Sequence, residues 1–352
     1  MVSGGFARLR NSRVTWIREG STLLTLVALI VAFSVADSVF LSGRNWADLS
    51  RSYFTELGLL TVAATIVLLT RGIDLSVAAI LALSAVTLGV LHVDHGVSIW
   101  LAIAAALAVG LAAGLLNGLL VMCLGLSPIV ATLATLTLYR GVALGLTRGR
   151  NLGPYPSSLQ QLGQGEVGGI PTQTFVLIGV GIIVAFVLRR TVTGRWIYAA
   201  GGNQRAAQLA GVPVDRVIIG AYAVAGLIAA IAGIIAVARF NTARSDFADG
   251  SELDAITAAI LGGVAIAGGR GSVVWALLGA LALAVLRNGL TLLGYSGFVQ
   301  IVAIGLILVA AVVADRLVSR RRLRREVSLL LGGRSQVVLA SPGTTNEGGT
   351  AS

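Results

Sequence analysis

Repeated apolar runs limit the folds open to this chain more than any other feature. Segments of about 16 to 22 mostly apolar residues recur along it, the length at which an α-helix crosses a bilayer. Of its 352 residues, 56% are hydrophobic and only 12% are charged, so a soluble fold could not bury the apolar surface. The 45 glycines are typical of helices that approach closely in lipid. The sequence therefore predicts an all-α, polytopic membrane protein.

Hydropathy predicts about ten spans, of which the sixth and eighth are short and indicate tilted, broken or re-entrant helices. Together they predict a transmembrane domain over residues 22–314, between an N-terminal segment over 1–21 and an arginine-rich tail over 315–352. The spans lie near residues 22–41, 54–70, 75–91, 98–122, 128–147, 174–188, 217–238, 252–267, 272–293 and 298–314.

The distribution of arginine predicts the orientation of these spans. Arginines are concentrated before the first span, within residues 189–216 and in the tail, whereas the intervening loops on the other side carry few. By the positive-inside rule, both termini and residues 189–216 face the cytoplasm. The end of the tail is rich in serine, threonine and glycine and is expected to be disordered. The alternative for the first span is a signal peptide cleaved near Ala36.

All 26 basic residues are arginine, and the absence of lysine excludes two kinds of chemistry. A P-loop needs a lysine on the nucleotide phosphates, and Schiff-base catalysis needs a lysine amine. The net charge of +11 arises at span ends and tails without interleaved aromatic residues, which argues against a nucleic-acid partner. Cys123 lies in an apolar run and is interpreted as a residue packed in the core.

The only two histidines, His92 and His95, lie in one short predicted outer loop. No Ser-His-Asp set and no metal-ligand spacing accompanies them. We therefore expect no catalytic residue, no metal and no cofactor, and a membrane-embedded enzyme is the less favoured alternative.

Two blocks in the first half of the chain recur in the second half. Residues 78–81 (Ala-Ala-Ile-Leu) match 258–261, and residues 117–119 (Asn-Gly-Leu) match 288–290. The order and spacing of the blocks are nearly the same, and an odd number of predicted spans separates the copies. The copies would therefore cross the membrane in opposite directions, as in transporters built from inverted repeats with a pathway between the halves.

Four polar residues at predicted membrane depth are candidates for a substrate pathway. A carboxylate in the bilayer costs about 2.5 to 3.5 kcal/mol, so Asp74 marks either a broken helix along a pathway or a tight turn that caps the next helix. Asn117 and Asn288 occupy equivalent repeat positions and either face a solute or hydrogen-bond between helices. Arg140 either faces the pathway or extends towards a helix end.

Two glycine-containing polar segments lie on the predicted cytoplasmic side. Residues 268–272 (Gly-Gly-Arg-Gly-Ser) are interpreted as a tight turn rather than a phosphate-binding loop, because neither a lysine nor a strand accompanies them. Residues 194–212 combine a helix-like apolar pattern, glycines and positive charge between two long apolar runs. A simple connection between two spans needs neither this length nor this apolar content. Residues 194–212 therefore indicate contact with a cytoplasmic partner. The alternative is a solvated loop.

Taken together, these segments resemble the permease subunit of ribose-type ABC sugar importers. Two positions depart from that pattern, because ribose-type permeases usually carry glycine where Arg71 and Ala78 stand here. The arginine-rich tail is also longer than is typical. The resemblance extends from about residue 45 to 315 and rests on residues 72–77, 114–118, 127–133, 139–141, 194–211, 261–263, 268–272 and 286–290.

The resemblance implies a multi-pass protein of the bacterial cytoplasmic (inner) membrane, surrounded by lipid, that imports a monosaccharide. It implies a core of two permease subunits, identical or different, with cytoplasmic ABC ATPases that hydrolyse the ATP and an extracytoplasmic sugar-binding protein. Residues 189–216 would hold the coupling helix that contacts the ATPase. The residues expected at that contact are Arg195, Trp196, Gly201, Gly202, Asn203, Arg205, Ala206, Ala207 and Gly211.

Specific roles follow within this expected contact. The apolar side chains of Trp196, Ile197, Leu209 and Val212 would dock into a groove of the ATPase. The Gly201-Gly202 pair would allow the loop to bend sharply.

Two other transport functions remain open on the sequence. A branched-chain amino acid ABC permease shares the broad architecture, and the solute that stabilises the companion binding protein would separate the two. An ion-driven secondary carrier also uses inverted repeats, but it should need more intramembrane carboxylates than this chain has. The sequence does not name the sugar.

Overall fold

The computed structural model describes residues 20, 22–307, 309, 310 and 313. The chain consists of two compact units, 1–308 and 309–352. The predicted tail over 315–352 and nearly all of the predicted N-terminal segment over 1–21 lie outside the described residues. In the second unit, residues 309, 310 and 313 are helical. All elements named below belong to the first unit.

The described part of the first unit is almost entirely helical. A π-helical turn, Ser50–Phe54, joins α2 to α3, and a second, Val90–Asp94, extends α4. The strands β1 (Glu166–Val167) and β2 (Ile170–Pro171) form a small antiparallel hairpin before α8. In chain order the helices are α1 (Thr22–Ala36), α2 (Gly43–Leu49), α3 (Thr55–Leu69), α4 (Val77–Gly89), α5 (Ile99–Met122), α6 (Pro128–Thr147), α7 (Ser157–Gln164), α8 (Thr172–Arg190), α9 (Val192–Gly202), α10 (Gln204–Leu209), α11 (Val214–Phe240), α12 (Ser251–Leu261), α13 (Val273–Leu292) and α14 (Gly297–Ile307).

Seven helical segments of the described residues are long and apolar enough to cross a membrane. They are the continuous segment Gly43–Leu69, α4 with its π-turn, α5, α6, α8, α11 and α13. Helices α1 and α14 are apolar but shorter over the described residues. The prediction of an all-α, polytopic membrane protein is confirmed, and the count of ten spans stays a prediction.

Helix α11 lies at the centre of the unit and packs against α3, α4 and α5. Its contact with α5 depends on glycine, since a Cβ on Gly226 would lie 2.2 Å from the carbonyl oxygen of Gly110. Similarly, a Cβ on Gly114 would lie 2.2 Å from the carbonyl oxygen of Tyr222. Lipid tails are as apolar as leucine, so close backbone packing, rather than the hydrophobic effect, holds such helices together.

The contacts of α3 define two ends of the unit. We call the end at which residues 189–216 lie the near end, because Gly201 in that segment contacts Leu69 at the C-terminus of α3. The opposite end is the far end, where Glu56 in the first turn of α3 forms an ion pair of 2.7 Å with Arg239. Helix α3 therefore runs from the far end to the near end. The turn 70–76 reverses the chain, and α4 runs back to the far end.

The second half of the chain repeats this arrangement in the opposite direction. Helix α12 begins at the far end, where Asp254 pairs with Arg287 at 2.6 Å and Arg287 lies within electrostatic reach of Glu56. The turn after α12 reaches the near end, where Gly269 contacts Gly202. Helices α4 and α12 therefore cross the unit in opposite directions, and so do α5 and α13. This geometry agrees with the predicted inverted repeat.

The predicted eighth span, 252–267, contains only the short helix α12. After α12, glycines adopt left-handed backbone conformations, with φ of 84° at Gly263, 80° at Gly268 and 68° at Gly269. Glycine reaches these angles without steric cost, so the segment forms a tight turn and not a continuous helix. The interpretation of residues 268–272 as a turn is confirmed, and the span is broken, one of the arrangements expected for it.

The interpretation of Cys123 as a core residue is wrong. Cys123 is exposed just after Met122, the last residue of α5. An apolar run at the surface of a membrane helix has the same composition as one in the core, so the sequence could not separate the two environments.

Candidate functional site

A buried polar network joins the turn before α4 to helices α5 and α6. Asp74 is 2% exposed, and its Oδ1 accepts hydrogen bonds from the backbone N–H (2.8 Å) and the hydroxyl (2.7 Å) of Ser76. Asn117 Nδ2 donates to Ser76 Oγ at 2.7 Å, and Tyr139 Oη donates to Asn117 Oδ1 at 3.2 Å. Two of the four predicted pathway residues, Asp74 and Asn117, therefore lie in one network.

The turn at Asp74 is also held through the carbonyl oxygen of Ile73. That oxygen accepts hydrogen bonds from Thr132 Oγ1 in α6 at 3.2 Å and from Tyr222 Oη in α11 at 3.4 Å. The second carboxyl oxygen of Asp74, Oδ2, is buried and has no hydrogen-bond partner among the described residues. Asp74 therefore lies in a tight turn, one of its two interpretations, but it does not cap α4, because the N-cap of that helix is Ser76 and no side chain caps it. A place for Asp74 along a pathway stays a prediction.

Asn288, the repeat counterpart of Asn117, has different partners. It exchanges two hydrogen bonds with Asn45 in α2, of 3.0 and 2.9 Å. Asn45 Nδ2 also donates to the carbonyl oxygen of Phe40 at 2.9 Å, and both amides are buried. This pair joins α2 to α13, as expected of an asparagine that hydrogen-bonds between helices.

Arg140 binds the segment that connects α11 to α12. Its Nη1 donates to the carbonyl oxygens of Ser245 (2.9 Å) and Phe247 (2.7 Å), and its Nη2 lies 3.6 Å from a carboxylate oxygen of Asp249. The structure thus brings Asp74 and Asn117 together, whereas Arg140 and Asn288 belong to separate sets of contacts.

Between the end of α8 and the start of α11, residues 189–216 contain two short helices, α9 and α10, at the near end. The Thr191 hydroxyl caps α9 by accepting the N–H of Gly194 at 3.2 Å, and Asn203 Oδ1 caps α10 by accepting the N–H of Ala206 at 3.0 Å. The chain is extended at Asn203, with φ of −158° and ψ of 102°. The bend therefore falls at Asn203 and not at the Gly201-Gly202 pair, which lies in the last turn of α9. The predicted position of the bend is wrong.

Gly201 is instead required for close packing. An added Cβ would lie 1.8 Å from the carbonyl oxygen of Leu69 and 2.6 Å from the backbone nitrogen of Gly269. The N–H of Gly269 in turn donates to the Leu69 carbonyl oxygen at 2.9 Å. Helix α9 therefore touches the end of α3 and the turn after α12 at one point. Those two elements belong to different halves of the repeat.

A second bond fixes α9 to the same turn. Tyr198 Oη donates to the carbonyl oxygen of Gly271 at 2.9 Å. Burial raises the pKa of the Tyr198 hydroxyl, an effect that the nearby Arg189 guanidinium opposes. The phenol therefore keeps its proton at neutral pH and acts as the donor.

The predicted ATPase-contact residues divide into a packed group and an exposed group. Gly201 and Ala207 are buried and Trp196 is half-buried, and Ile197, which we expected to dock on the partner, is 6% exposed and packs on the bundle. Leu209 in α10 is 85% exposed. The exposed surface of the segment thus centres on α10. Its predicted members are Arg195, Gly202, Asn203, Arg205, Ala206 and Gly211.

The link between the two glycine-containing segments was not predicted from the sequence. Residues 194–212 and the turn 268–272 each carry an adjacent pair of glycines. Paired glycines are the expected signal of two backbones in direct contact. Leu69 and Tyr198, which complete the contact, have no sequence feature that marks them.

Arg71 is one of the two departures from the ribose-type pattern, and its backbone conformation is one that favours glycine. It adopts a left-handed φ of 70°, a region in which a residue with a Cβ is disfavoured and glycine is not. The glycine usual at this position in the resembled family therefore suits the backbone, and the arginine here is strained.

Comparisons with known proteins agree with this architecture. A family model described as the permease component of branched-chain amino acid transport systems matches residues 50–312. The chain is 41% identical to the ribose import permease protein of Bacillus subtilis (strain 168) over 295 residues, which are 83% of this chain and 91% of the relative. No solved structure matches the chain.

Two relatives from Escherichia coli (strain K12) extend the comparison. The ribose import permease protein is 37% identical over 306 residues, covering 85% of this chain and 94% of the relative. The L-arabinose transport system permease protein is 37% identical over 301 residues, covering 86% and 91%. With a family match over most of its length and seven helical segments able to span a membrane, the chain belongs to the family of transport-system permease components described for branched-chain amino acids.

Proposed function

We propose that the chain is the transmembrane permease subunit of an ABC importer that carries a monosaccharide into the cytoplasm. The observation that carries the proposal is the similarity to ribose and L-arabinose permeases, which covers at least 83% of this chain. Both sugars named for these relatives are pentoses, so a small sugar is the proposed substrate class. The chain itself is non-catalytic, and the ATP is hydrolysed by a separate ATPase subunit.

The proposed setting is the bacterial cytoplasmic membrane, with both termini on the cytoplasmic side. In support, α1 begins at the near end, where Thr22 Oγ1 donates to the carbonyl oxygen of Leu261 at 2.6 Å. The start of α1 and residues 189–216 therefore lie at the same end of the unit, as the arginine distribution requires. The proposed partners are a second permease subunit, identical or different, a cytoplasmic ABC ATPase and an extracytoplasmic sugar-binding protein.

In the proposed coupling mechanism, the ATPase binds the exposed α10. Helix α10 follows α9 after a single extended residue, Asn203, so a force on α10 acts on α9 directly. Through Gly201, α9 presses on the carbonyl oxygen of Leu69 in one repeat half and on Gly269 in the other. A tilt of α9 would therefore move the two halves relative to each other, which is the motion that alternating access needs.

The four predicted pathway residues keep that role as part of the proposal, with a division of labour that follows from their contacts. Asp74 carries the one buried carboxyl oxygen of the network without a partner among the described residues, and it is the group proposed to meet a polar solute. Asn117, Asn288 and Arg140 already donate to protein atoms and are proposed to hold the pathway walls in position.

Uptake by a reconstituted complex tests the proposal. The permease, its ATPase and the binding protein from the neighbouring genes are placed in vesicles, and ATP-dependent accumulation of radiolabelled ribose, arabinose and leucine is measured. Accumulation of one of the sugars supports the proposal. Accumulation of leucine alone would instead support the branched-chain amino acid alternative, which the family description names and which the ribose and L-arabinose relatives make the weaker one. Uptake without the ATPase would indicate an ion-coupled carrier.

A further inference from the structure

An apolar groove of about 550 Å³ lies at the near end between α8, α9 and α11. Its walls include Ile183 and Val187 of α8, Trp196 of α9 and Val224 of α11. Arg216 is the only charged residue among the described residues that line it. The proposed transport function assigns no role to this groove.

The groove is charged at one end and apolar along its length. Arg216 lies in the first turn of α11, at the near end, and Val224 lies about 12 Å further along the helix at 1.5 Å per residue. On the opposite wall, α8 runs from Ile183 to its last two residues, Arg189 and Arg190, at the same end. A ligand that fits this arrangement has an anionic head and a long apolar tail.

The groove is open towards the surface of α8 that faces away from the bundle. Ile182 and Ile183 on this surface are 63% and 62% exposed. In a protein that crosses a membrane, such an apolar surface meets acyl chains. The tail of a ligand can therefore enter sideways from the bilayer, and no opening to water is needed.

We propose that this groove binds an anionic phospholipid of the surrounding membrane. One acyl chain lies between α8 and α11, and the phosphate binds Arg216, which forms no ion pair with any described residue. A guanidinium can pair with two phosphate oxygens at once, and indole rings such as that of Trp196 favour the membrane interface. The bound chain would also fill the space beneath α9.

Gly220 offers a direct way to close the groove. It lines the groove, and a Cβ added there would meet no atom within 4 Å. A larger side chain at this position therefore fills the cavity without a backbone clash. Gly179 in α8 is the matched control, because its added Cβ also meets no atom within 4 Å and it does not line the groove.

Native mass spectrometry of the full chain in detergent tests the proposal. The chain is mixed with equal amounts of phosphatidylglycerol and phosphatidylcholine, and the lipid retained per chain is counted. We expect about fivefold more phosphatidylglycerol than phosphatidylcholine, the factor for one arginine near an anionic lipid surface. Arg216→Gln should remove this preference, whereas Arg205→Gln, with the same change in net charge outside the groove, should keep it. Gly220→Phe should lose both lipids and Gly179→Phe neither.

Several results would overturn the proposal. These are equal retention of the two lipids by the unaltered chain, the same loss for Arg205→Gln as for Arg216→Gln, and full retention by Gly220→Phe. A dimer that carries no lipid while the monomer does would mean that a second copy covers the groove. If Gly220→Phe fails to fold, Gly220→Leu gives a smaller plug and a partial loss, and the arginine variants remain decisive.

Discussion

The Cα of Gly201 in α9 faces the carbonyl oxygen of Leu69 at the end of α3, so closely that a Cβ would lie 1.8 Å from that oxygen. The same oxygen accepts a hydrogen bond from the N–H of Gly269. Three elements therefore meet at one carbonyl group, and α9 cannot shift towards α3 without displacing it. In the proposed coupling mechanism, this contact would transmit displacement between α9 and both repeat halves, because no flexible side chain intervenes.

Gly201→Ala should separate α9 from the bundle. The added methyl has no room beside the Leu69 backbone, and overpacking of this kind costs about 1 to 3 kcal/mol. We expect a lower midpoint of thermal unfolding in detergent and a loss of ATP-dependent uptake. Gly202→Ala is the matched control, because its Cβ would meet no atom within 4 Å. Equal effects of the two substitutions would contradict this account of the contact.

Leu209 and Ile197 should respond differently to serine. Leu209 is 85% exposed on α10, so Leu209→Ser should leave the thermal midpoint unchanged and weaken co-purification with the ATPase. Ile197 is 6% exposed, so Ile197→Ser should destabilise the chain by about 1 to 3 kcal/mol through loss of apolar burial. Normal ATPase binding by Leu209→Ser would show that α10 does not form the contact.

The Asn45–Asn288 pair should show strong coupling in a double-mutant cycle. Asn288→Ala leaves the buried amide of Asn45 without its partner, at a cost of about 1 to 3 kcal/mol. The double variant Asn45→Ala/Asn288→Ala leaves no orphaned amide from this pair, so its loss of stability should be smaller than the sum of the single losses. Thermal or denaturant unfolding in detergent provides the three values. Additive losses would argue against the two-way hydrogen bond.

Arg71→Gly should be tolerated and should stabilise the turn before Asp74. The left-handed conformation costs a residue with a Cβ about 1 to 2 kcal/mol, which exceeds the entropy that glycine adds to the unfolded chain. Arg71→Val places a β-branched side chain at the same φ of 70° and should destabilise the chain. The order of thermal midpoints, glycine above arginine above valine, checks this. A midpoint for the valine variant at or above that of the arginine form would refute it.

Much of the fold was predictable because it depends on features that occur along the sequence. Apolar runs located the membrane helices, and the recurrence of residues 78–81 at 258–261 indicated two halves of opposite direction. The asparagine pair at 117 and 288 was identified as equivalent, and both residues are buried between helices. These predictions succeeded because helix length and apolar content are local properties.

The contacts of the site were predictable only in part, because they depend on which segments meet in space. Residues 194–212 were predicted to contact a partner, and nothing in them indicates that Gly201 meets Leu69 of the same chain. Burial also reversed the role expected of Ile197, since an apolar residue on a polar segment can face a partner or its own bundle. Asn45, the partner of Asn288, lies in the short helix α2, which falls between the predicted spans 22–41 and 54–70, where hydropathy predicted no helix.

The different partners of Asn117 and Asn288 mean that the two halves of the chain are not equivalent in their buried contacts. The two residues hold matching places in the two halves, yet one bonds to Ser76 and Tyr139 and the other to Asn45. The two halves therefore share a helical arrangement, whereas their buried side chains make different contacts. Exchanging α5 for α13 in a chimera would retain the backbone frame and leave buried amides with no counterpart, so neither helix can replace the other.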